Sequence, residues 1–158
     1  MSAEKITITP AMHRQLGVDL FNATWTLLDK NDRSPAEDEA MIHTAHASAY
    51  HWLQVGERLN FARSDWQLSR VYALLNRPEP ALHHAHQSLE ICQAEGIGDF
   101  DLAFAYEALA RAYAINKNPD QAQHYLQLAQ EAGELIKEED DRQYFFAELA
   151  AIPANSTS

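Results

Sequence analysis

Two stretches of the chain carry the same pattern and decide how it folds. They are FARSDWQLSRVYALLNRPEPALHHAHQSLEICQAE at 61–95 and LAFAYEALARAYAINKNPDQAQHYLQLAQEAGELI at 102–136. Aligned without a gap at an offset of 41, they match in two helical patterns and in the turn between them. The identical pairs are Ala62/Ala103, Leu68/Leu109, Arg70/Arg111, Tyr72/Tyr113, Ala73/Ala114, Pro78/Pro119, Ala81/Ala122, His83/His124 and Glu90/Glu131. Repeated units of this kind bury their apolar faces by stacking, so the pattern predicts a helical repeat protein.

Helix starts and stops are marked along the chain. A capping residue precedes a proline at 9–10, 34–35 and 118–119, which is typical of helix N-termini. Gly56 and Gly96 follow helical patterns, at places where a left-handed cap is expected. No segment shows sustained alternation with period two, so we predict an all-α fold without a sheet. The seven predicted helices are 10–30, 35–55, 60–75, 78–95, 100–116, 119–136 and 139–151.

A weaker copy of the unit precedes the two clear ones. At the same offset it pairs Trp25/Trp66, Leu27/Leu68, Ala40/Ala81, His43/His84 and Ala47/Ser88. We therefore predict one domain over 1–152, with repeats at about 20–55, 61–95 and 102–136. The helix at 139–151 would cap the open end with its charged residues facing outward, and 153–158 would be a disordered tail. The charged residues of this cap are Asp140, Asp141, Arg142 and Glu148.

Composition narrows the class of protein further. The net charge of −11 disfavours binding to nucleic acid or to anionic membranes. The single cysteine, Cys92, excludes an internal disulfide and a CxxC metal or redox motif. Neither a signal-peptide core nor an apolar run of membrane-spanning length occurs, so we expect a cytoplasmic protein without a membrane segment. No nucleophile motif or phosphate loop occurs, so we expect no enzymatic activity and no cofactor.

Small residues and a tyrosine recur at fixed places in each copy. The first helix has a small residue followed by tyrosine three positions later, and the second helix has two small residues seven apart. These residues are Ser69, Tyr72, Ala81 and Ser88 in one copy and Ala110, Tyr113, Ala122 and Ala129 in the other. In these features the chain resembles the tetratricopeptide repeat family over roughly 20–136. The period of 41 exceeds the roughly 34 residues of the common repeat, and the proline that usually closes the repeat is missing.

The resemblance implies a concave groove lined by the first helix of each pair. It places seven residues on or near that face: Trp25, Arg63, Trp66, Arg70, Phe104, Glu107 and Arg111. Arginines beside aromatic rings suit a carboxylate-bearing peptide. The family's clamp for C-terminal carboxylates uses Lys and Asn, however, and this chain does not have them at those positions. An alternative is that Arg70 pairs with Glu107 of the next repeat and only holds the stack together.

Three functional hypotheses follow. The first is a non-enzymatic interaction module that binds a peptide or protein segment, an acidic one included, in the groove. The second is a metal-binding protein, because the chain has eight histidines and some share predicted helix faces. Its candidate ligands are His43, His46 and His84, with His83 and His86 as alternatives to His84. The third is a homodimer formed through Phe145, Phe146 and Leu149.

Overall fold

The computed structural model describes residues 2–153, and within this range it contains seven α-helices and no strand. The helices are α1 Pro10–Leu28, α2 Pro35–Val55, α3 Arg58–Leu74, α4 Pro78–Glu95, α5 Asp99–Ile115, α6 Pro119–Glu134 and α7 Glu139–Ala150. The all-α class is confirmed, and each helix end lies within two residues of its predicted position. None of these helices combines the length and the apolarity needed to cross a membrane. Of the tail expected over 153–158, all but Pro153 lies outside the described residues.

The helix-capping signals act locally, as the sequence indicates. Ser34 Oγ accepts a hydrogen bond from the backbone N–H of Glu37, whose carboxylate accepts one from the N–H of Ser34 in return. Thr9 caps α1 in the simpler way, by accepting from a single N–H. Gly96 ends α4 in the left-handed conformation, with φ of 63°. These caps satisfy backbone groups that a helix end would otherwise leave unpaired.

The cap predicted at Gly56 is wrong in its geometry. Gly56 is extended, with φ of −84°, because the chain passes directly from α2 to α3 across only two residues. A glycine is still required there for space. A Cβ atom at this position would lie 2.7 Å from the carbonyl oxygen of Trp52 and 3.1 Å from the Cβ of Asn60.

Consecutive helices pack as hairpins, α1 with α2, α3 with α4, and α5 with α6. Close approach is possible because Ala81, Ala85 and Ser88 present small, fully buried side chains along α4. Ser88 Oγ donates a hydrogen bond of 2.9 Å to the carbonyl of Ala62 on α3. The connections of the second and third hairpins are also alike, since residues 76 and 117 both adopt a left-handed conformation. The second and third hairpins are thus repeats of one arrangement.

The first hairpin has the same arrangement in a different register. Ser48 Oγ donates to the carbonyl of Gly17 at 2.7 Å, as Ser88 does to Ala62. These contacts place α1 at an offset of 45 from α3 and α2 at an offset of 40 from α4. The predicted offset of 41 is therefore wrong here, by four residues in α1 and by one in α2. The connection spans residues 29–34, whereas the later hairpins use three residues, so a gapless alignment cannot fit both helices.

Helix α7 packs on α5 and α6 and closes the stack. Phe145 and Leu149 are 0% and 6% exposed, in a core cluster that includes Phe104 of α5. At an offset of 41, Phe145 corresponds to Phe104 and Glu148 to Glu107. Helix α7 thus occupies the place of the first helix of a further hairpin. Because Phe145 and Leu149 are buried within the chain, they are not available as the dimer surface that the sequence suggested.

The prediction that Glu148 faces outward is also wrong. Its carboxylate turns toward α3 and pairs with Arg70 at 2.6 Å. Arg142 likewise turns back, and its guanidinium donates to the carbonyl of Ile136 at 3.0 Å. Asp140 and Asp141 are exposed, as expected. Helix α7 therefore contributes charge to the interior of the stack as well as a polar outer surface.

The contact between α6 and α7 gives a direct test of this packing. A Cβ atom at Gly133 would lie 2.4 Å from Cε1 of Phe145, so we expect Gly133→Ala to lower the free energy of unfolding by about 1–3 kcal/mol. Without that clash, alanine in a helix interior would instead raise it by about 0.5–1 kcal/mol. Urea unfolding followed by circular dichroism measures the difference.

A double-mutant cycle with Phe145→Leu separates the clash from other effects. The smaller side chain should accommodate the added methyl group, so the double variant should lose less stability than the sum of the single changes. Strict additivity, or a more stable Gly133→Ala protein, would contradict the packing described for α7.

Candidate functional site

A pocket of about 510 Å³ opens where α1, α3, α5 and α7 face one another. We call it the aromatic pocket because most of its large side chains are aromatic. It is lined by Phe21, Trp25, Ala62, Arg63, Trp66, Ser88, Phe100, Asp101, Phe104, Asp141 and Tyr144. Of the groove residues named from the sequence, Trp25, Arg63, Trp66 and Phe104 lie here, whereas Arg70, Glu107 and Arg111 do not line the pocket.

The rings of the aromatic pocket form a continuous row across successive first helices. Trp25 of α1 lies 5.4 Å from Trp66 of α3, measured between ring centroids, and Trp66 lies 5.2 Å from Phe104 of α5. Phe104 in turn lies 5.9 Å from Tyr144 of α7. Each helix of the row contributes one such ring, so the row depends on the regular stacking of the hairpins.

Trp66 also carries a polar group without a partner. Its indole Nε1–H is buried and meets no hydrogen-bond acceptor among the described residues. Such a donor normally finds a partner when it is removed from water. Trp66 thus packs against the core and also carries an unpaired donor.

Arg63 stands at the pocket but is already engaged. Its Nε and Nη2 atoms donate to the two carboxylate oxygens of Asp101 at 2.9 and 3.1 Å. This hydrogen bonding raises the pKa of Arg63 above its ordinary value. A guanidinium that holds an internal carboxylate in both donor positions has less to offer the carboxylate of a ligand.

Arg70 and Arg111 do not line the pocket but belong to a cluster of ion pairs. Arg111 donates to Oε1 of Glu107 through Nε at 2.8 Å and through Nη2 at 2.6 Å. Arg70 lies 3.6 Å from the same oxygen, which is the contact that the structural alternative predicted. Arg70 also pairs with Glu148, whose backbone carbonyl accepts from Arg111 at 3.1 Å. The cluster thus joins α3, α5 and α7.

Glu107 is the central member of this cluster, because its side chain is only 1% exposed. Removing its charge leaves two arginines facing a neutral group in a buried setting, which is costly. We expect Glu107→Gln to lower the free energy of unfolding by about 3 kcal/mol in urea unfolding experiments.

The matched control is Glu131→Gln, the same change at an exposed position of α6. It should alter stability by no more than about 0.5 kcal/mol. Equal effects of the two substitutions would show that the buried cluster does not hold the stack together.

The charges around Tyr144 describe the electrostatics of the pocket. Desolvation raises the pKa of Tyr144, and the carboxylate of Glu148 raises it further, against the opposing effect of Arg70. Asp29 and Glu107 add smaller effects in the same direction as Glu148. Asp141, at the rim, is exposed and makes no ion pair with another described residue. The pocket therefore lies in a predominantly negative environment.

The histidines proposed as metal ligands belong to α2 and α4 and do not line the aromatic pocket. The rings of His46 and His84 are 5.8 Å apart, but His46 Nε2 lies 2.7 Å from the hydroxyl of Tyr72. His84 Nδ1 pairs with Asp65 at 2.8 Å. His43 is exposed on α2. Within the described residues, no group of three or more His, Cys, Asp or Glu side chains is arranged to hold a metal ion.

A different histidine pair joins α1 to α2. The Nδ1 atoms of His13 and His51 lie 2.8 Å apart, so one ring must donate and the other must accept. At least one of the two rings must therefore be neutral in this geometry. Desolvation lowers the pKa of His51, and the charge that His13 can carry lowers it further. Desolvation also lowers the pKa of His46, with further effects from His84 and His43.

These lowered pKa values predict how stability depends on pH. Because the unfolded chain binds a proton near its ordinary pKa of about 6.5 and the folded chain resists it, stability should be full above about pH 7 and fall as the pH drops below about 6.5. Urea unfolding between pH 7.5 and pH 5 measures this dependence. The double variant His46→Gln/His51→Gln should lose less stability over that range than the unmodified protein.

A matched pair of exposed histidines provides the control. The double variant His83→Gln/His124→Gln removes the same number of histidines, both from exposed positions of α4 and α6. It should follow the pH dependence of the unmodified protein. The same flattening in both variants would contradict a specific effect of the His46 and His51 rings, each of which contacts a polar group of another helix.

Cys92 does not form a reactive site in this arrangement. It is 1% exposed, in the cluster between α4 and α5. Burial raises the pKa of its thiol to about 11, with a smaller effect from Asp101. A thiol in this state is protonated at neutral pH and is a poor nucleophile.

Several residues of the site were not identified from the sequence. Asp101, Asp141 and Tyr144 fall outside the two aligned stretches, 61–95 and 102–136. Glu148 was assigned to the outer surface of the cap. Continuing the offset of 41 from Glu107 would have identified it, because the two glutamates occupy equivalent places.

Comparison with known proteins does not identify a relative of this chain. No family model matches the chain, and no curated protein or solved structure shows significant similarity to it. The arrangement of helix hairpins is compatible with tetratricopeptide repeats.

Proposed function

We propose that this chain is a non-enzymatic, tetratricopeptide-like interaction module that binds a peptide or protein segment across its first helices. One side chain of that segment enters the aromatic pocket. The observation that carries the proposal is the row of rings from Trp25 to Tyr144, which lines an open pocket, while its member Phe104 also packs into the core. Aromatic anchors of this kind provide much of the binding energy at protein interfaces.

The size of the pocket agrees with this function. Its volume of about 510 Å³ lies within the range of about 300–1,000 Å³ that is typical of ligand pockets. The lining combines large apolar surface with a few polar groups, which is the usual composition of a binding site. The walls come from four first helices, so a bound segment would contact several repeats at once.

The binding mode differs from the one suggested by the arginines alone. Arg63, Arg70 and Arg111 each face carboxylates of the chain itself. An acidic segment would have to displace these internal partners. We therefore assign the arginines to holding the helices in place, and the rings to contact with the partner.

The proposal is tested with an immobilised peptide array, followed by titration of the strongest peptides in solution. We expect Trp25→Ala and Tyr144→Ala to weaken binding of those peptides by about tenfold or more, because each removes an aromatic anchor. Tyr50→Ala is the matched control, since Tyr50 is an exposed tyrosine, 57% accessible, on α2 outside the pocket.

Two outcomes would contradict the proposed function. Peptides that bind the Trp25→Ala and Tyr144→Ala proteins as tightly as the unmodified protein would remove the pocket from the binding surface. Failure of the array to yield any peptide that binds in solution would count against the interaction module itself. Circular dichroism of each variant establishes that it remains folded.

A further inference from the structure

The charges and rings of the aromatic pocket also limit the kind of group that it accepts. Six of its lining residues are aromatic, and the faces of aromatic rings carry negative electrostatic potential. The charged lining residues are Asp101, Asp141 and Arg63, so the lining has a formal charge of −1. The only positive group among them, Arg63, is held by Asp101 in a two-pronged ion pair.

Charged residues that lie near the pocket without lining it also favour a cation. Arg70 and Arg111 face Glu107 and Glu148 and are balanced by them. Asp29 adds a further negative charge close enough to raise the pKa of Tyr144. The whole protein carries a net charge of −11, so the long-range potential is negative as well. A carboxylate in the pocket would meet net repulsion, whereas a cation would meet net attraction.

The aromatic lining of the pocket favours an alkylated ammonium group over a primary one. A primary ammonium group is strongly hydrated and loses much of that hydration energy among apolar rings. An alkylated ammonium group is weakly hydrated and combines positive charge with apolar surface, and aromatic rings recognise it by cation–π attraction. Within the described residues, a cation–π contact is formed by Arg14 and Trp52, and it lies outside this pocket.

From this arrangement we infer that the aromatic pocket binds an organic ammonium cation, with methylated nitrogen seated against Trp25, Trp66 and Tyr144. The inference rests on the proposed function and specifies the chemistry of the group that enters the pocket. Asp141 at the rim supplies the unpaired negative charge. The group belongs either to a methylated lysine of a bound segment or to a free quaternary ammonium compound, and the two share the same chemistry.

Choline and its uncharged analogue 3,3-dimethyl-1-butanol have the same shape and the same single hydroxyl group. They differ in the charge on the central atom, so comparison of the two compounds isolates attraction to the cation.

The experiment compares a cation with an uncharged compound of the same shape. Binding of choline and of 3,3-dimethyl-1-butanol is measured by calorimetry at low salt, and we expect choline to bind at least about fivefold more tightly. A peptide with a central trimethyl-lysine is measured beside the same peptide with unmodified lysine. Preference for the trimethylated peptide over choline identifies a protein segment as the source, and the reverse preference identifies a free compound.

Two variants locate the effect. Asp141→Asn should weaken binding of choline by about two- to fivefold and leave binding of the neutral compound unchanged, because it removes only a charge at an exposed position. Asp140→Asn is the same change one residue away, outside the lining, and should affect neither compound. Since both positions are exposed on α7, neither change is expected to disturb folding.

The outcomes distinguish this inference from the proposed function. Equal binding of choline and its neutral analogue, or no binding of either the cations or the trimethylated peptide, overturns the cation site. If Trp25→Ala still weakens binding of the peptides from the array in that case, the proposal of an interaction module stands without the cation site. Choline binding that is equally reduced by Asp140→Asn and Asp141→Asn would show attraction to an acidic surface and would also overturn the assignment to this pocket.

Discussion

Close contact between the two helices of each hairpin is the constraint from which the other features follow. Serine and alanine at the contact let the backbones approach, and in the first two hairpins a serine hydroxyl also donates to a carbonyl of the facing helix, as Ser88 does to Ala62. That contact fixes the register of one helix against the next. Once the register is fixed, the rings on successive first helices fall into a row, and the pocket beside them takes its shape.

The ion pairs around Glu107 act at a second level, between hairpins rather than within them. A buried carboxylate is costly unless it is fully paired, and here Arg70 and Arg111 approach it from two helices. Such a cluster tolerates few alternative arrangements, because a slip of one helix would leave a charge buried without a partner. Its value is then as much in specifying how α3, α5 and α7 meet as in stabilising the fold.

How far the sequence predicted the structure depends on the range of the interaction. Helix ends were predictable because caps such as Ser34 with Glu37 act within four residues. The register of the first hairpin was not, because a longer connection between α1 and α2 changes the offset without altering either helical pattern. Arg63 and Trp66, named from the sequence, line the pocket, but the partner of Arg63 lies 38 residues away and no local pattern indicates it.

The equivalence of α7 with α5 has a consequence for the size of the site. Tyr144 and Asp141 close one end of the pocket because α7 stands directly after the third hairpin. Duplicating the 102–136 unit within the chain would move this closing helix one step farther along the stack and lengthen the row of rings. The capacity of the pocket is therefore a property of repeat number, which can change by duplication of a segment without the redesign of any single residue.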